Sequence, residues 1–78
     1  MKSDLVDLML AKHHQTKLAV LVSETGEEAK AVWLPLSLVE IEETTKTAHG
    51  VLKDGQIVKL PLVTVTLPER LAIEKRLV

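Results

Sequence analysis

The stretch that decides the fold is Lys17–Ser23 (KLAVLVS), followed by a polar turn at 24–28 (ETGEE) and by Ala29–Leu34 (AKAVWL). The middle of the first segment is apolar throughout, which predicts a strand covered on both faces. Gly26 supplies the positive φ angle that a tight turn requires. The second apolar segment returns beside the first, so the sequence predicts an antiparallel hairpin, one of two that are expected to form the body of the domain.

The second half of the chain carries further strand signals. Val39–Glu42 (VEIE) and Val63–Leu67 (VTVTL) alternate apolar and polar residues, as half-buried strands do. Asp54–Gly55 lies between short apolar pairs and predicts a second hairpin. The threonine-rich stretch 44–50 predicts a loop or a frayed strand end. Pro35 is expected to end a strand or to hold it at a sheet edge.

A short amphipathic helix is predicted at each end of the chain. Ser3–Lys12 (SDLVDLMLAK) has apolar residues at helical spacing and aspartates in its first turn. Pro68–Leu77 (PERLAIEKRL) begins with proline, which suits the first helical position, and Leu71 and Leu77 are expected to dock it. The predicted fold class is therefore α+β. A single domain over 1–78 holds a small antiparallel β-sheet or a partly open β-barrel of about four to five strands, with short N- and C-terminal helices.

Composition indicates a marginal core and surplus apolar surface. The 78 residues contain no cysteine, so no disulfide reinforces the domain, yet 46% of them are hydrophobic and Trp33 is the only aromatic residue. A homodimer or higher oligomer would bury the surplus, and the alternative is that the chain's own helices cover both sheet faces. Trp33 is expected to be the largest core anchor rather than an interface residue.

The charge balance limits the classes of partner. Ten Lys and Arg residues oppose eleven Asp and Glu residues, which gives a net charge of −1. Dedicated nucleic-acid-binding proteins usually carry a basic excess. No apolar run approaches the length of a membrane span. Asp4 and Asp7 interrupt the N-terminal apolar stretch and argue against a signal peptide, so a soluble cytoplasmic protein is expected.

No residue pattern indicates catalysis or a bound cofactor. His13 and His14 are adjacent, so their side chains are expected to diverge, and His49 would have to be brought to them by the fold. The serines lack a nucleophile-elbow context, and the three glycines are isolated turn residues rather than a phosphate-binding loop. So small a domain offers little depth in which to desolvate a carboxylate. The sequence predicts a non-enzymatic protein without metal or cofactor.

Two acidic clusters are the candidate partner-binding residues. Glu24, Glu27 and Glu28 surround the tip of the first hairpin, and Glu40, Glu42 and Glu43 line a predicted strand. Acidic surfaces of this kind steer association with a basic partner. Solvated faces and turns are the simpler explanation of both clusters.

A small β-barrel that binds nucleic acid is the alternative hypothesis. Five lysines would line its groove: Lys12, Lys17, Lys30, Lys53 and Lys59. The balanced net charge counts against it, and so does the single aromatic residue, because single-stranded nucleic acid is bound largely by aromatic stacking.

Two segments of the chain carry a family resemblance: Ala31–Ile41 (AVWLPLSLVEI) and the C-terminal stretch Val65–Lys75 (VTLPERLAIEK). Through these segments the chain resembles a group of short phage- and prophage-borne proteins. The resemblance covers about the last three-fifths of the sequence. It implies an accessory protein of a mobile element that binds a host protein complex, for example an inhibitor of CRISPR–Cas or another defence system, in the cytoplasm of the host cell.

Overall fold

The computed structural model describes residues 4–77. Their fold is an open five-stranded antiparallel sheet with the strand order β3-β2-β1-β5-β4 and a short C-terminal helix. The elements are β1 Leu5–Gln15, β2 Ala19–Ser23, a 3-10 turn Glu28–Lys30, β3 Val32–Pro35, β4 Glu40–Val51, β5 Ile57–Pro68 and α1 Glu69–Glu74. The predicted antiparallel sheet with its terminal helix is therefore confirmed.

One face of the sheet carries the hydrophobic core. Alternate residues of the central strands point to this face, which we call the core face, and the helix end packs on it through Ala72 and Leu77. The buried cluster comprises Leu10, Val20, Val22, Leu34, Val39, Val63, Val65, Leu67, Ala72 and Leu77. The opposite side of the sheet is called the outer face. In the N-terminal half of β1 it carries Leu5, Asp7 and Met9, which alternate with the core-facing positions.

The predicted N-terminal helix is wrong, because the described part of that segment is the strand β1. β1 lies between two neighbours: Leu5–Ala11 pairs with β5, and its C-terminal part pairs with β2. Val6, Leu8 and Leu10 belong to the core, so the apolar residues satisfy a period of two as well as a helical one. The sequence of this segment fits a helix and a strand equally well, and pairing with β2 and β5 makes it a strand.

The stretch 44–50 is also a correction, since it belongs to β4 rather than to a loop. The register of β4 against β5 shifts between Glu43 and Thr47, which marks a β-bulge. Thr44 lies within that irregularity, and its hydroxyl donates a hydrogen bond of 2.7 Å to the Leu62 carbonyl. Pro61 pairs with Thr47 at the bulge, a position where a strand tolerates a residue without an N–H group.

Both predicted hairpin turns are confirmed. Gly26 and Gly55 have φ angles of 86° and 90°, the left-handed region that glycine adopts without steric cost. The first connection is longer than predicted, because the 3-10 turn precedes β3. This connection also reaches the far edge of the sheet, where the Val51 N–H donates a 2.8 Å hydrogen bond to the Gly26 carbonyl. Glu27 forms an isolated bridge with Val51 at the same place.

The helices of the described residues, 4–77, are short, and none of them has the length and apolar character needed to cross a bilayer.

Candidate protein-binding face

Three neighbouring strands place acidic and apolar side chains together on the outer face. The registers of β1, β5 and β4 align two cross-strand rows, Asp7–Thr66–Glu40 and Met9–Thr64–Glu42. Leu5 continues the same face of β1 beside Pro68. We call the residues Leu5, Asp7, Met9, Glu40 and Glu42 the acidic patch.

The acidic patch is open to solvent although it contains large apolar side chains. Leu5 is 55% exposed and Met9 is 48% exposed. Asp7, Glu40 and Glu42 are exposed carboxylates on the same face. The Thr66 hydroxyl donates a hydrogen bond of 2.5 Å to Asp7 Oδ1, which fixes the orientation of that carboxylate. Exposed apolar anchors flanked by charges are the elements from which protein-binding surfaces are built.

Only two of the six predicted glutamates lie in the acidic patch. Glu40 and Glu42 are there, whereas Glu43 lies opposite Val63, a residue of the core face. The Glu43 Oε2 atom lies 3.4 Å from Lys12 Nζ. Alternation along a strand is the reason, because adjacent residues point to opposite faces. The Glu43 carboxylate is therefore part of an ion pair away from the patch.

The glutamates of the first hairpin lie elsewhere. Glu24 is exposed in the β2–β3 connection. Glu27 is bridged to Val51, and Glu28 Oε1 accepts a 3.0 Å hydrogen bond from the Lys53 N–H. Val51 ends β4 and Glu40 begins it, so roughly 35 Å of strand separates the two ends of β4 at which the clusters lie. The six residues do not form one surface, and Glu27 and Glu28 help hold the loop against β4.

The sequence does not identify Leu5, Asp7 and Met9 as site residues, because their segment fits a helix as well as a strand. In a helix, Leu5 and Met9 would share a face, but Asp7 would lie on the opposite side. The sequence signal for these three residues is alternation. Positions 6, 8 and 10 are all apolar, as on a buried strand face, whereas positions 5, 7 and 9 mix apolar and acidic residues.

The expectation that Trp33 is the largest core anchor is wrong, since its side chain lies on the outer face and is 45% exposed. It pairs with Leu21 across β2 and β3, and Leu34 rather than Trp33 is fully buried. The His14 ring lies edge-on to the indole, with the ring centroids 6.1 Å apart and the ring planes at 88°. The tryptophan is therefore a surface residue of the isolated chain.

His13 is part of a small polar network beneath the first hairpin. Its Nε2 lies 2.7 Å from the Ser23 hydroxyl, which also accepts a 2.9 Å hydrogen bond from the Gly26 N–H. Its Nδ1 is buried without a hydrogen-bond partner among the described residues. Burial lowers the pKa of His13, and the nearby Glu28 carboxylate opposes that shift. Ser23 is 1% exposed, so its hydroxyl is enclosed within this network.

A β-bulge brings the two adjacent histidines to the same side of the sheet. The register of β1 against β2 shifts between Lys12 and His14, so His13 is the extra residue. His13 reaches Ser23, and His14 reaches Trp33. The expectation that the two side chains diverge does not allow for this bulge. In the range 4–77, no group of three or more His, Cys, Asp or Glu residues could hold a metal ion.

The lysines of the alternative hypothesis occupy separate places. Lys12 is paired with Glu43, and Lys30 Nζ lies 3.7 Å from Glu27 Oε1. Lys17 and Lys53 lie in two different turns, and Lys59 is opposite His49 on β5.

Comparison of the chain with protein-family models, with curated proteins and with solved structures gave no match.

Proposed function

We propose that this chain is a non-enzymatic protein-binding module that uses the acidic patch to bind a partner with a basic surface. The observation that supports this most directly is the pair of cross-strand rows Asp7–Thr66–Glu40 and Met9–Thr64–Glu42, which bring three exposed carboxylates and Met9 to one face, with Leu5 further along the same face of β1. The apolar side chains would supply buried contact area, and the carboxylates would select and steer a basic partner.

The position of β4 at the sheet edge also favours contact through the charged side chains of the acidic patch. β4 is an outermost strand, and a long exposed edge invites pairing with other chains unless charges and bulges prevent it. Glu40, Glu42 and the bulge after Glu43 are features of this protective kind. They favour contact through side chains on the outer face rather than by extension of the sheet.

The biological role in the proposal is that of a cytoplasmic accessory factor of a phage or mobile element that inhibits a host defence complex. The resemblance of Ala31–Ile41 and of the C-terminal stretch to short phage-borne proteins supports this role. An inhibitor of a multisubunit assembly needs a binding surface and no reactive group, and the acidic patch would provide that surface.

A homodimer is also part of the proposal, through a different surface. Two dimer partners that met at the acidic patch would bring like charges together, which disfavours that arrangement. The turns at the β3 edge offer an apolar alternative, since Leu18 is 80% exposed and Leu38 is 55% exposed. These turns lie together, because the Leu36 N–H donates a 2.8 Å hydrogen bond to the Leu18 carbonyl.

Charge reversal tests the acidic patch. The double variant Glu40→Lys/Glu42→Lys is compared with Glu24→Lys, which changes an exposed glutamate of the other cluster. Immobilised wild-type protein is expected to capture a specific protein from the lysate of a bacterial host, and the affinity for that purified protein is then measured. The double variant is expected to bind it at least about tenfold more weakly, while Glu24→Lys binds normally.

Two results contradict the proposal. One is an equal loss of affinity in Glu24→Lys and in the double variant, since only the double variant alters the acidic patch. The other is a captured protein that the double variant binds as tightly as the wild type does.

A further inference from the structure

A cleft of about 390 Å³ lies between the first hairpin and the end of the C-terminal helix. One wall comes from the β2–β3 connection and the start of β3, and the other comes from the residues that follow α1. Its lining includes the three cations Lys30, Lys75 and Arg76, the apolar residues Val32 and Leu77, and the single carboxylate of Glu24. A cleft of this size falls at the lower end of the range for small-molecule sites.

The charge of this cleft contrasts with that of the whole chain. Three cations against one carboxylate give the lining a formal charge of +2, whereas the chain has a net charge of −1. Lys30 has only a weak surface contact with Glu27, at 3.7 Å. Among residues 4–77, Lys75 and Arg76 take part in no ion pair. The cations are therefore available to an anion that enters the cleft.

The backbone conformation of Arg76 is a second observation, independent of charge, that points to a role for this side chain. The helix ends in a Schellman motif, in which the Leu77 N–H donates to the Ala72 carbonyl at 2.8 Å and the Arg76 N–H to the Ile73 carbonyl at 3.0 Å. Arg76 occupies the left-handed position of this motif with a φ angle of 59°. Glycine is preferred there because a Cβ atom is strained in that conformation.

We infer that this cleft binds a small organic anion, with a phosphate or carboxylate group between Lys30, Lys75 and Arg76 and an apolar part against Val32 and Leu77. Arginine and lysine are the side chains that bind both kinds of anionic group. Charges near a helix C-terminus also complement the helix dipole, but that effect favours any cation in the last turn and needs no arginine in a strained conformation. This site is separate from the acidic patch and does not depend on the function proposed for it.

Titration with simple anions tests the inference on the whole chain. Phenyl phosphate and benzoate are added to ¹⁵N-labelled protein, with neutral phenol and inorganic phosphate as comparisons. The aromatic anions are expected to shift the amide signals of Thr25, Lys30 and Leu77 at millimolar concentration. Phenol is expected to leave these signals unchanged, and inorganic phosphate is expected to bind more weakly than phenyl phosphate.

Variants show whether the cations hold the anion. Arg76→Gly removes the guanidinium and places the preferred residue at the left-handed position, so the variant is expected to fold with an unchanged amide spectrum elsewhere. It is expected to bind phenyl phosphate about tenfold more weakly or worse. The control Arg70→Gln, a change on the same helix outside this cleft, is expected to bind as the wild type does.

Three outcomes overturn the inference: no shift at the cleft with either aromatic anion, an equal response to phenol, or wild-type affinity in Arg76→Gly. Equal affinity for inorganic phosphate and phenyl phosphate overturns the role given to Val32 and Leu77.

Discussion

His13 shows how one side chain makes stability depend on pH. In the folded chain its imidazole is bonded to Ser23 at 2.7 Å and has a buried Nδ1 without a partner among the described residues. Protonation would add a charge and a second donor to that site. Burial therefore lowers the pKa of His13 below its usual value of 6.5, although Glu28 partly offsets the effect. The folded state favours the neutral ring.

The first prediction is that His13 destabilises the fold in mild acid. The unfolded chain takes up the proton near pH 6.5, before the folded chain does, so stability is fully present above that pH and is lost as pH falls through the lowered pKa. The free energy of unfolding in urea, measured from about pH 8 to pH 5, is expected to fall more steeply in the wild type than in His13→Gln. The difference in slope is at most about 1.4 kcal/mol per pH unit.

His14→Gln and Glu28→Gln complete that experiment. The first changes the neighbouring exposed histidine, which contacts Trp33 rather than Ser23, and shows the effect of a histidine substitution outside the network. The second removes the carboxylate that favours protonated His13, so its acid loss is expected to deepen. A wild-type slope in His13→Gln would show that the network does not couple stability to pH.

At the scale of elements, the β2–β3 connection matters because it links the two edges of the sheet. It joins β2 to the edge strand β3 and contacts β4, the strand at the opposite edge, through Gly26 and Glu27. A Cβ atom on Gly26 would lie 2.6 Å from the His49 carbonyl oxygen, so the two backbones can approach only because this residue is glycine. Gly50 also has no room for a side chain, since its Cβ would overlap Leu60.

The second prediction separates this contact from ordinary turn strain. Gly26 and Gly55 have nearly equal φ angles, 86° and 90°, but a Cβ on Gly55 would meet nothing within 4 Å. Gly55→Ala is expected to cost about 1–2 kcal/mol, the strain of a left-handed alanine. Gly26→Ala is expected to cost at least about 2 kcal/mol more, because the connection must move away from β4. Urea unfolding of both variants measures the difference, and equal losses would show that the loop contact with β4 adds nothing to stability.

At the scale of the whole molecule, exposed apolar side chains occur in more than one region. The described chain measures 45 × 25 × 24 Å and buries one main cluster on the core face. Leu5 and Met9 remain exposed in the acidic patch, Trp33 on the outer face near the β3 edge, and Leu18 and Leu38 in the turns beside that edge. One partner surface does not cover all of them, which is why a homodimer and a heterologous partner are assigned to different regions.

The third prediction concerns the homodimer. Wild-type protein is expected to show a dimer mass by light scattering at high micromolar concentration. Leu18→Glu places a charge in the apolar turn region and is expected to shift the protein to a monomer. Ile57→Glu is the matched control, since Ile57 is also largely exposed, at 71%, but lies at the start of β5. A monomeric wild type contradicts the dimer, and a dimeric Leu18→Glu variant contradicts its position.

The sequence by itself determined the features that depend on neighbouring residues. The turns at Gly26 and Gly55 follow from the conformational freedom of glycine, and the strands on either side of them follow from apolar runs and alternation. The terminal helix follows from Pro68 and the apolar spacing after it. These signals act over a few residues, so they can be read without knowing what the segment packs against.

Only the tertiary structure decided the features that depend on partners distant in sequence. β1 is a strand because β2 and β5 flank it, and the stretch 44–50 is extended because β5 pairs with it around a bulge. Register then placed Glu40 and Glu42 on the same face as Asp7, with β5 between them, and turned Glu43 toward Lys12. Trp33 was exposed for the same reason, since alternation buried Leu34 instead. Pairing between strands is non-local, and a one-residue change of register exchanges the buried and exposed faces.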